Sequence, residues 1–122
     1  MDAYSGTPLP KKLGIKPGSV VSLIGEPAGF RQIVDMPPGA AFQDQLNGKE
    51  DLVIWFVTSQ SELQREITRL APRVPAGGIW ISWPKKASGV QTDVSENIVR
   101  ATGLSAGLVD YKIAAIDKTW SG

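Results

Sequence analysis

Lys85 and Lys86 stand side by side after Trp83-Pro84, and Ser88-Gly89 follows two residues on. Two ammonium groups, a hydroxyl and a flexible backbone just beyond an apolar run can hold a phosphate or carboxylate through charge-assisted hydrogen bonds. The lysines precede the glycine, so the order is not that of a P-loop. A solvated lysine pair in a surface loop is the competing reading. Ser88 with either lysine has no nucleophile elbow around it, so no catalytic residue is assigned. The second candidate is Gly25-Glu26-Pro27-Ala28-Gly29, a thinned glycine-rich loop that does not match G-x-G-x-x-G. A nucleotide loop also calls for an acid after the next strand to hold a ribose, and Asp35 and Asp44 are the nearby candidates. Glu26 either faces a cleft or is an ordinary surface glutamate. Ser59 and Trp120 complete the candidate set, Trp120 as a lid on a pocket mouth or as packing against a helix.

What is missing narrows the chemistry further. The chain has no cysteine and no histidine, which removes disulfides, thiolate nucleophiles, Ser-His-Asp triads and most zinc sites, so no metal ligands are assigned. A formal charge of +1 gives no reason to expect a nucleic-acid partner. The longest apolar run, Leu52 to Val57, is far short of the ~20 residues of a membrane span, so no membrane partner is expected. The N-terminal residues lack the apolar core of a signal peptide, which makes the cytoplasm the expected location. A chain of 122 residues is long enough for one α/β domain, 1–122, with a core of its own.

The elements that must position these residues alternate. Leu9 and Leu13 share a face of a short helix that Gly14 ends, with Thr7 as cap and Pro8 in its first turn. Ser19 to Ile24 is an apolar, β-branched strand, and Phe30, Ile33 and Val34 suit one face of a short helix. Ala40 to Leu46 reads as a short strand, and Leu52 to Val57 as a central strand covered on both faces. Ser59 with Glu62 fits a capping box, Ser61 with Gln64 being the rival register, ahead of a helix with Leu63, Ile67, Leu70 and Ala71 on its apolar face. Ile79 to Trp83 is a further strand, stopped by Pro84. Asp93 with Glu96 predicts a cap for a helix that buries Val94, Ile98 and Val99 and ends at Gly103. Leu108 to Ile116 reads as the last strand. The alternation predicts a small Rossmann-like, three-layer α/β domain with a mostly parallel sheet.

In such folds ligands bind beyond the carboxyl ends of the strands. Parallel strands would therefore bring Gly25, Glu26 and Gly29, Ser59, Lys85, Lys86, Ser88 and Gly89, and Trp120 to one edge. Trp55, Trp80 and Trp83 lie in strands and are read as core.

Tyr4-Ser-Gly-Thr-Pro-Leu9, Lys11-Lys-Leu-Gly-Ile-Lys-Pro-Gly18, Trp83-Pro-Lys-Lys-Ala-Ser-Gly89 and Thr119-Trp-Ser-Gly122 together resemble a family of small bacterial proteins classed as a domain of unknown function. The resemblance covers nearly the whole chain and implies a Rossmann-like fold and a cytoplasmic location. Leu13-Gly-Ile-Lys-Pro-Gly18 and Leu70 to Trp83 are more distantly similar to S-adenosylmethionine-dependent methyltransferases. That likeness implies S-adenosylmethionine or a nucleotide as cofactor and one more strand after Trp120-Ser-Gly122. The loop at Pro27 and the compressed unit from Arg31 to Gln45 depart from the methyltransferase pattern.

Three functions follow as expectations. The favoured one is a non-catalytic module that binds a small anionic or nucleotide-like ligand, or a protein partner. The alternatives are a minimal methyltransferase or other transferase, and a self-associating protein that pairs through a sheet edge as a homodimer.

Overall fold

Apolar strands and the turns between them set the architecture. A computed structural model describes residues 9–44, 46–75, 77–85, 89–108 and 120–121. The strands β1 (Val20–Ile24), β2 (Ala41–Gln43), β3 (Leu52–Phe56), β4 (Ile79–Pro84) and β5 (Trp120–Ser121) form a sheet in the order β2-β1-β3-β4-β5. The first four run parallel and β5 is antiparallel to β4, which with the intervening helices is the expected α/β, Rossmann-like arrangement. The chain steps outward from β1 to β2 and returns past β1 to β3, so the strand order reverses beside β1. Among the described residues no helix is long and apolar enough to cross a membrane.

The chain divides into two compact units, residues 1–56 with 74–80 and residues 57–73 with 81–122. In the first, helix α1 (Leu9–Leu13) ends at Gly14, and the half-buried Trp80 donates its Nε1 hydrogen to the Leu13 carbonyl at 2.9 Å. β1 pairs Val21 with both Phe42 and Leu52, and Ser22 with both Gln43 and Val53. Side chains alternate along a strand, so Val21, Phe42 and Leu52 share one face and Ser22, Gln43 and Val53 the other. Helix α2 (Phe30–Ile33) covers the first face. Its Phe30 ring lies 4.9 Å from that of Phe56, edge-on, and 6.0 Å from that of Phe42.

The buried polar groups of this unit are paired, as burial away from water requires. Gln43 Nε2 donates to the fully buried Ser22 hydroxyl at 2.8 Å. Glu50 Oε1 accepts from the backbone amides of Asn47 and Gly48 at 3.0 and 3.1 Å, tying off the loop before β3. Asp51 clasps the start of β1 in both directions. Its amide donates to the Val20 carbonyl at 2.7 Å and its Oδ2 accepts from the Val20 amide at 2.8 Å. Gly77 in turn donates to the Asp51 carbonyl at 3.0 Å, so close that any Cβ at position 77 would overlap that oxygen.

In the second unit Ser59 caps helix α3 (Gln60–Leu70), its hydroxyl accepting from the Glu62 amide at 3.1 Å. This is the Ser59 register of the capping box. Leu63, Ile67 and Leu70 are buried, and Ala71–Arg73 add one 3₁₀ turn. Val57 donates to the Ser82 carbonyl at 2.9 Å, and β5 pairs Trp120 with Pro84 and Ser121 with Trp83.

Three expectations need correcting. The strand expected to stop before Pro84 includes it: Pro84 is the last residue of β4, a strand-end position where a missing N–H is tolerated. Helix α4 (Glu96–Ser105) starts after Ser95, not Asp93, because the Asp93 carboxylate is engaged elsewhere. Gly103 lies buried inside α4, which ends at Ala106 and Gly107. Thr7 and Pro8, and the expected strand beyond Leu108, lie outside the described residues. Trp55 and Trp83 are buried as expected, and Trp80 half so.

Candidate functional site

The turn after β1 is shaped by its glycines. Gly25 takes a positive φ of 68°, and a Cβ there would sit 2.9 Å from the Phe56 carbonyl oxygen at the end of β3. The chain can therefore pass the end of β3 closely only because position 25 has no side chain. Gly29, at φ 84°, precedes α2. Between them Glu26 is half-buried and accepts a two-pronged bond from Arg31, Nε to Oε2 at 2.9 Å and Nη2 to Oε1 at 3.0 Å. Arg31 Nη2 also donates to Asp44 Oδ1, and the guanidinium carbon lies 5.8 Å from the centre of the Phe42 ring.

Asp44 is the residue directly after β2. Of the two acids considered for a ribose position, Asp44 therefore stands at the carboxyl end of the second strand, whereas Asp35 lies in the connection ahead of β2. The hydrogen bond from Arg31 to Glu26 raises the arginine pKa further above its ordinary value. Partial desolvation opposes this, and the charges of Glu26 and Asp44 add to it. The guanidinium is thus fixed as a cation. Two carboxylates face it, so the cluster carries one negative charge in excess and is poorly suited to a bare phosphate.

In the second unit one of the expected ligand groups has a structural occupation. Ser59 is the α3 cap described above. The first turn of α3 is further occupied by the protein's own carboxylate: Asp93 Oδ1 accepts from the Gln60 amide at 2.8 Å, and Gln60 Nε2 donates to the Asp93 carbonyl at 2.6 Å. Thr92 Oγ1 donates to the Thr58 carbonyl at 2.7 Å and accepts from the Val94 amide at 3.1 Å, and the Val94 side chain is buried. The segment 92–94 is thereby strapped to the start of α3. Lys85 follows β4 and is half-buried, and Gly89 is exposed with φ 79°. Lys86 and Ser88 lie outside the described residues. Trp120 is placed by its backbone in β5.

Gly25, Glu26 and Gly29 are thus brought together in the first unit with Asp44, one of the two acids considered for a ribose, and with Arg31, which was not among the candidates. Arg31 left no signal in the sequence, since its spacing of five from Glu26 matches no regular element. Asp44 was named beside Asp35, and it lies 19 positions after Gly25, near the ~20 expected between a glycine loop and a ribose acid. Among the described residues no group of His, Cys, Asp or Glu has the arrangement of a metal site. No protein-family model matches the sequence, and no curated protein matches it.

Proposed function

We propose that the chain is a non-catalytic binding or regulatory module whose small ligand is nucleoside-like and sits against the turn after β1. The observation that carries this reading is the position of Asp44, directly after β2 and linked through Arg31 to Glu26 of that turn. In Rossmann-like folds an acid at that place accepts hydrogen bonds from ribose hydroxyls, and the assignment rests on this fold-level analogy. The excess negative charge of the cluster favours a neutral or cationic nucleoside over a phosphate-rich one. S-adenosylmethionine, with its sulfonium, suits it better than a nucleoside triphosphate. The lack of histidine and cysteine favours binding over catalysis. The resemblance to the small bacterial family, and the cytoplasmic location that it implies, belong to the same proposal.

The test is calorimetric titration with adenosine, 2′,3′-dideoxyadenosine, S-adenosylmethionine, ATP and inorganic phosphate. Adenosine and S-adenosylmethionine are expected to bind, dideoxyadenosine at least ten-fold more weakly, and Asp44→Asn to erase the difference. A flat response across the panel, or equal binding of the two adenosines, would overturn the nucleoside reading. Turnover of S-adenosylmethionine to its demethylated product would overturn the non-catalytic one.

A further inference from the structure

The outward side of α3 carries a ridge of arginines that the small-ligand reading does not use. Every exposed position of α3 and the turn after it is uncharged or basic: Ser61, Gln64, Arg65, Thr68, Arg69, Pro72 and Arg73. Arg65, Arg69 and Arg73 recur at every fourth residue; within α3 this spacing sets Arg65 and Arg69 on one face with about 6 Å of rise between them, and Arg73 follows in the 3₁₀ turn. Arg65 is 71% exposed and Arg69 54%.

Glu66, at the flank, serves two of the three. It accepts from Arg65 Nε at 3.3 Å and from Arg69 Nε at 2.8 Å, and lies 2.7 Å from Arg69 Nη2. These bonds, that from Arg69 first, hold the Glu66 carboxyl below its ordinary pKa. One carboxylate thus aligns two guanidiniums, and Arg73 has no ion-pair partner among the described residues. Three forks against one carboxylate leave the ridge two positive charges in excess. A basic residue in the last turn complements the helix dipole, which accounts for Arg69 but not for Arg65 in mid-helix.

We propose that this ridge is a docking surface for an acidic segment of a partner protein, a helix presenting carboxylates at every fourth residue. The guanidinium fork binds a carboxylate through two parallel bonds, which a lysine cannot do. Carboxylates four apart on a partner helix repeat with the same rise of about 6 Å as Arg65 and Arg69. Nucleic acid fits less well. Its binding surfaces rely on many cations, whereas this ridge has three, includes a carboxylate, and belongs to a chain of net charge +1.

The experiment uses the full chain and a fluorescein-labelled helical peptide with glutamates at every fourth position in an alanine–glutamine background. Anisotropy is followed at low and physiological salt. The variant R65Q/R69Q/R73Q is expected to bind at least ten-fold more weakly with an unchanged far-ultraviolet spectrum. The corresponding triple lysine variant should lose at least three-fold. K16Q/K49Q, which removes two exposed cations elsewhere, should lose less than two-fold. Wild-type affinity in the triple glutamine variant, or an equal loss in K16Q/K49Q, would overturn the proposal. So would tighter binding of an oligo-thymidine of matched charge that the triple glutamine variant abolishes.

Discussion

Replacing Gly25 by alanine probes the turn on which the candidate site is built, and two separable costs follow. The first is conformational: a φ of 68° places an L-residue in the left-handed region, at a cost of about 1–2 kcal/mol. The second is steric. The new methyl would lie 2.9 Å from the Phe56 carbonyl oxygen, which belongs to the backbone of a strand buried at every position and cannot swing away. Forcing an extra carbon into such a place costs about 1–3 kcal/mol. Gly48 separates the two costs. Its φ is 83°, yet a Cβ there meets nothing within 4 Å, so Gly48→Ala bears the conformational cost alone. In urea unfolding at 25 °C, followed by tryptophan fluorescence and circular dichroism together, Gly48→Ala is expected to lose about 1–2 kcal/mol. Gly25→Ala should lose at least about 1 kcal/mol more. Against a total of about 5–15 kcal/mol for a domain, that gap is easily measured. A Gly25→Ala no less stable than Gly48→Ala would refute the close passage of this turn against β3.

Two further substitutions address the second unit. Asp93→Ala removes the carboxylate from the first turn of α3 and should cost about 1 kcal/mol, with faster hydrogen exchange at the Gln60 amide. Asp93→Asn keeps an acceptor and should recover most of that loss, and an unchanged Gln60 exchange rate in Asp93→Ala would count against the strap. Ser82, fully buried in β4, has a hydroxyl with no hydrogen-bond partner among the described residues, an arrangement that costs about 1–3 kcal/mol. Ser82→Ala should therefore be neutral or raise the melting temperature, and a clear loss of stability would show that the hydroxyl has a partner after all.

Residues that act within their own element were legible. Leu52–Phe56 is apolar throughout and buried throughout, and the Ser59 hydroxyl meets the Glu62 amide three residues on, as the capping pattern requires. Contacts that join distant parts of the chain were not. Asp93 sits before an apolar, helix-like stretch with Glu96 three residues later, which by local rules makes it the cap of its own helix. It instead serves Gln60, 33 residues away. The sequence contains both possibilities, because any acceptor can satisfy a helix's orphan amides and tertiary placement decides which does. Gly103 failed for a similar reason. Glycine ends a helix only when the chain needs a left-handed residue there, and α4 uses Gly103 as a buried interior position instead.

The connection from Arg31 through β2 to Asp44 is short, and its shortness is what assembles the candidate site. Helix α2 has four residues and β2 three, so the chain returns quickly from the turn after β1 to the end of β2. Asp44 then lies close enough for one guanidinium, carried on α2, to reach both it and Glu26. The Phe42 ring gives that guanidinium a flat support, and the packing of Phe30 on Phe42 and Phe56 fixes α2, and with it Arg31, relative to the sheet. The same economy limits what the site can accept. Glu26 has both oxygens committed to Arg31, which leaves Asp44, at the exposed end of the cluster, as the acid with capacity to receive hydroxyl donors from a ligand.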